Sequence, residues 1–123
     1  MSKESFIQEF IALGYTPEVR KDDFLVFPYV VPVGKFAGKE IKLGLQVFGD
    51  APINPPPGPH VSPRLLPQHP SSDLPHPAGG VYDSPPALGP EWQYWSRPIQ
   101  HWREGDRSAR QYMAHIRNLF ATQ

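Results

Sequence analysis

Cysteine is absent from all 123 residues. That excludes disulfides, thiolate-bound zinc and a thiol nucleophile. Net charge is missing too, because 12 basic and 12 acidic residues cancel. The electrostatic footprint of a general nucleic-acid binder is therefore lacking. No stretch approaches the roughly 18 consecutive apolar residues of a membrane span. The opening, MSKESFIQEFIALGY, carries charges and no long apolar run, which is unlike a secretory signal. A cytoplasmic protein with neither a nucleic-acid nor a membrane partner is expected, and the length suits one domain.

Proline is what the chain has in excess. Of its 17 prolines, 13 lie between Pro52 and Pro90. They divide the chain into a regular front (1–50), a proline-rich excursion (51–90) and an aromatic and helical end (91–123). Long loops of this kind inside a compact domain are commonly functional. The run APINPPP at 51–57 has fixed φ and few donors, so it must leave a preceding strand on an extended path.

The front predicts a helix in which Ser2 caps, Phe6, Ile7, Phe10, Ile11 and Leu13 recur at helical spacing, and Gly14 stops the run. FLVFPYVV at 24–31 reads as a strand, demoted by Pro28 to an edge or bulged one. A glycine-bounded turn at 33–38 leads to a second strand, where Ile41, Leu43, Leu45 and Val47 alternate onto one face. Near the end, Asp106 can cap a helix with an apolar stripe of Ala109, Tyr112, Met113, Ile116, Leu119 and Phe120. The expected class is α+β: an N-terminal helix, an antiparallel meander of about four strands, a long proline-rich loop and a C-terminal helix.

Chemistry-bearing residues concentrate in the excursion. His60, His69 and His76 are candidate metal ligands, with Asp73 as a carboxylate nearby. Their spacing does not match the i, i+4 pair that converges on a helix. Hydrogen bonds from these imidazoles to loop carbonyls are the competing reading. Ser71, Ser72 and Ser84 complete a Ser-His-Asp set on paper, but none stands on a nucleophile elbow. The catalytic candidates are thus His69, Asp73, His76 and Ser84, and no cofactor is implied. Trp92, Tyr94, Trp95 and Trp102, flanked by Arg97, favour a lid packed on the core. The alternative is a binding patch that includes His60 and Tyr82, since Trp, Tyr and Arg are enriched at interface hot spots.

The order of these parts resembles the ubiquitin-conjugating enzyme superfamily, the UBC or UBC/RWD-like fold. Its members run helix, four-stranded meander, a Tyr-Pro-x-x-Pro-Pro turn, a His-Pro-Asn motif, the catalytic cysteine, a tryptophan and later helices. Here Ala51-Pro52-Ile53-Asn54-Pro55-Pro56 stands at the turn and His69-Pro70-Ser71 at the second motif. Trp92 or Trp95 stands for the tryptophan. The likeness covers most of the chain and is closest to bacterial UBC-like families that lack the cysteine. Serine replaces the asparagine that supports the oxyanion in the family, and the family's thioester step has no thiol. The resemblance implies a pseudoenzyme of a bacterial ubiquitin-like conjugation pathway. It would bind a ubiquitin-like modifier, or a conjugating or activating enzyme, through the sheet face and the region from Trp92 to Trp102. The alternatives are a metal- or histidine-dependent enzyme using the His-rich loop, and a peptide-binding module.

Overall fold

A computed structural model describes residues 3–51, 53–63, 81–85, 88–95 and 99–122. Helix α1 (Lys3–Ala12) opens the chain, and strands β1 (Glu18–Arg20), β2 (Phe24–Val30), β3 (Glu40–Gln46) and β4 (His60–Ser62) follow. Then come β5 (Val81–Asp83), β6 (Gln93–Trp95) and helix α2 (Ala109–Thr122). Every pairing is antiparallel, in the order β1-β2-β3-β4-β6-β5. The first four strands form a meander, but the front (1–50) holds only β1–β3 of it; β4, like β5, arises inside 51–90, where the prolines predict loop. Two further short strands, β5 and β6, extend it in swapped order.

The helix forms as expected and ends where Gly14 turns back with φ +100°. The Ser2 cap lies outside the described residues, and of the apolar set Ile11 and Leu13 are exposed while Phe6 and Phe10 are buried. Pro28 has a different consequence from the one expected. β2 is second in the sheet and pairs with β3 over seven consecutive residues without a bulge. Its pairing with β1 reaches only to Val26, so no described strand on that flank needs the donor that Pro28 lacks. β1 itself escaped sequence reading, because three residues are too few to show a period. It is joined to β2 through Asp22 and Asp23, both held at positive φ (62° and 65°), a conformation that aspartate tolerates better than most residues.

Period-two burial builds the core. Leu25, Phe27, Tyr29 and Val31 share a face with Ile41, Leu43, Leu45 and Val47. Both helices cover that face: Phe6 and Phe10 from α1, and all six residues of the predicted stripe from α2. Aromatic rings fasten the layers. Phe6 stands edge-on to Phe10 and Trp102, and Trp95 lies 5.4 Å from Phe120. Pairs of this geometry add about 0.5–1.5 kcal/mol beyond their buried area.

The start of α2 corrects one expectation. Ser108 caps the helix, not Asp106: its Oγ accepts from the Gln111 N–H at 3.1 Å. Asp106 instead accepts from the Ser108 hydroxyl. The first helical N–H, at Ala109, goes to Glu9 Oε1 on α1 at 2.7 Å. One carboxylate therefore satisfies an orphan donor of the other helix and opposes the positive end of its dipole. Replacing Glu9 with alanine should cost about 1–2 kcal/mol in urea unfolding. Glu9→Gln should recover part of that loss, whereas equal stability of all three proteins would deny the contact.

Candidate functional site

The helices leave the opposite face of the sheet to a smaller cluster. Phe24, Val26, Leu88 and Trp92 pack there, apart from the main core. His60 of β4 joins them, paired across the sheet with Gly44 of β3 and Tyr94 of β6. Gly44 makes room for this packing. A Cβ at that position would sit 3.2 Å from the Trp92 ring, 3.3 Å from Leu88 and 3.4 Å from the His60 Cβ.

His60 is 4 % exposed. Its ring stands edge-on to Phe24 with centroids 4.9 Å apart, and lies against Tyr94 at 4.7 Å. Its Nδ1 is 2.8 Å from Ser84 Oγ, so the hydroxyl and the ring nitrogen share a hydrogen bond whose direction follows the tautomer. Burial disfavours the imidazolium and pulls the pKa down from 6.5 to about 4. The ring is neutral at pH 7. A serine beside a histidine is the geometry of nucleophilic hydrolysis, but a base this weak holds the serine's proton poorly. Among the described residues, no group of three His, Cys, Asp or Glu side chains converges to hold a metal.

This arrangement makes stability depend on acid. The unfolded imidazole, near pKa 6.5, takes up a proton before the buried ring does. The His60 contribution is therefore fully present above about pH 6.5 and is lost progressively down to about pH 4. The loss should be on the order of 2–3 kcal/mol in urea unfolding followed across that window. His60→Gln should flatten most of the slope, and an unchanged slope would assign it to other groups.

The other candidates are distributed unevenly. Trp92, Trp95 and Trp102 are 2 %, 0 % and 4 % exposed, so their area is spent inside, as in the packed-lid reading. Tyr94 alone in this aromatic group keeps partly open surface. The backbone of Tyr82 pairs with Tyr94 in the last strand pair. His69, Asp73, His76 and Arg97 lie outside the described residues, as does the His69-Pro70-Ser71 motif. The contact of His60 with Ser84, rather than with a loop carbonyl, was not legible. The two residues are 24 positions apart and only the strand order brings them together. Gln93 was missed as well: it is buried, with its Oε1 unpaired among the described residues. It sits between Val61 and Asp83 in the ladder.

No protein-family model, curated protein or solved structure matches the chain. Among the described residues, no helix is long and apolar enough to cross a membrane. The chain is α+β, and its antiparallel sheet carries two helices on one face and, on the other, a buried histidine hydrogen-bonded to a half-buried serine.

Proposed function

We propose that the protein is a non-catalytic member of the UBC-like class, which binds a ubiquitin-like modifier or a catalytic conjugating partner. One observation carries this reading. A helix, a four-strand meander and a C-terminal helix occur in the order the family requires, on a chain with no cysteine. The His–Ser pair supports it, since the imidazole is too weakly basic to activate a hydroxyl at neutral pH. The contact surface in this reading is the sheet face away from the helices. There Lys42 is exposed, and Ser62, its partner in β4, and Tyr94 are half-buried beside the covered patch.

The test is a titration of isotopically labelled protein with a ubiquitin-like modifier, and separately with a cysteine-bearing conjugating enzyme, each encoded by neighbouring genes. Amide shifts should appear in β3, β4 and β6 for at least one of them, and Lys42→Glu should weaken the effect. Absence of shifts with either partner at millimolar concentration would remove the proposal. Stoichiometric zinc or iron, or ester hydrolysis abolished by Ser84→Ala, would assign the site to an enzyme instead.

A further inference from the structure

A groove of about 520 Å³ lies at the open flank of β2, between the end of α1 and the outer side of α2. Leu13 and Val30 stand in it 39 % and 59 % exposed, although both are large and apolar. Half-buried Tyr15, backed by the buried ring of Tyr29 with centroids 6.2 Å apart, forms an aromatic wall continued by Pro28 and Pro32. On the α2 side, Arg110 and Arg117 flank a floor of Met113 and Ala114. Among the described residues no carboxylate lines the groove, although Arg110 also borders the adjoining cavity that contains Glu9 and Asp106. Neither arginine has a salt bridge among the described residues.

The geometry points to a docking site for an extended acidic peptide in the polyproline II conformation. Charge decides the sign of the occupant: two exposed guanidiniums without a salt bridge among the described residues favour carboxylates, with arginine able to hold each through two parallel hydrogen bonds. Spacing decides its form. Seven residues along a helix separate Arg110 from Arg117 by about 10.5 Å. A polyproline II chain returns the same face every three residues, about 9 Å further on. Acidic residues at i and i+3 of such a segment match both arginines from one side. A regular strand would turn its i+3 side chain away. Of the two residues between them, one can rest on Met113 and Ala114. Grooves walled by aromatic rings are a recurrent way to receive this conformation, whose ordering cost is already low. The end of β1 at its Val26 pairing leaves this flank of β2 without a strand partner along Pro28–Val30 among the described residues.

The site does not depend on the UBC-like reading, because it lies along the β2 edge rather than around Lys42 and Tyr94. The probe is the capped peptide Ser-Pro-Glu-Pro-Leu-Glu-Pro-Ser, followed by fluorescence anisotropy and by amide shifts. Its control carries lysine in place of both glutamates. Binding is expected for the acidic peptide only, with shifts at Leu13, Tyr15, Val30 and Ala114 and weakening by added salt. The double variant Arg110→Glu/Arg117→Glu should bind at least about tenfold more weakly. Both side chains are exposed, and a matching thermal melt shows that the fold survives; Arg110→Gln/Arg117→Gln provides a milder comparison. Equal binding of the lysine peptide, binding indifferent to the double variant, shifts confined to the other sheet face, or no binding at millimolar concentration would each overturn the site. Self-association without peptide that shifts these same amides would assign the groove to a second copy of the chain.

Discussion

Replacing Gly34 with alanine is expected to abolish folding, or to cost at least about 4 kcal/mol, the range reached only by a backbone or core defect. Two independent causes act at this position. Gly34 opens the β2–β3 turn with φ +87°, where a Cβ costs roughly 1–2 kcal/mol. The larger cause is contact: a Cβ there would run into the carbonyl oxygen of Phe120, an atom of the α2 backbone. Backbone cannot swing aside like a side chain, so either the turn or the end of α2 must leave its place. Phe120 would be displaced with it from its packing on Tyr29 and Trp95. Gly38 is the internal control. It has the same φ of +87° with nothing within 4 Å of the added carbon. Gly38→Ala should show only the conformational cost. Urea unfolding of both variants separates the two causes, and equal losses would mean that α2 does not approach the turn.

Leu45→Asp should unfold the protein outright. Leu45 is 0 % exposed near the end of β3, opposite Leu25 and beneath the helices. A carboxylate placed there has no partner, and leaving a charge unpaired in a core costs more than the whole stability of a small domain. The alternation of β3 supplies the comparison. Lys42 is exposed on the other face of the same strand, so Lys42→Asp should stay within about 0.5 kcal/mol of the parent. Circular dichroism of the two proteins reads the difference. A folded Leu45→Asp protein would require a different register, because a slip of one residue exchanges the faces.

The surfaces available for contact follow from the same packing. The three tryptophans look like interface residues by type, yet each fills space between the sheet and a covering segment. What stays outside is less conspicuous in composition: Lys42 on one face, and Leu13, Val30 and two arginines around the groove. A residue's type states what it can do at a surface. Only its neighbours decide whether it has one.

Read alone, the chain determined the elements whose signal is local. The stripe of α2 was visible because a helix repeats every 3.6 residues, and all six of its apolar positions are buried. The alternation in β3 and the glycines of the preceding turn were equally legible, and so was the absence of any thiol chemistry. Tertiary structure decided what depends on distant residues. Three-residue strands such as β1, β5 and β6 carry no period and exist because longer neighbours offer them a ladder. The approach of Gly34 to Phe120, the cap that Glu9 lends to α2, and the neutral His60 beside Ser84 join residues 24 to 100 positions apart. Hydrogen-bond saturation and close packing act through space, and sequence periodicity records only what repeats along the chain.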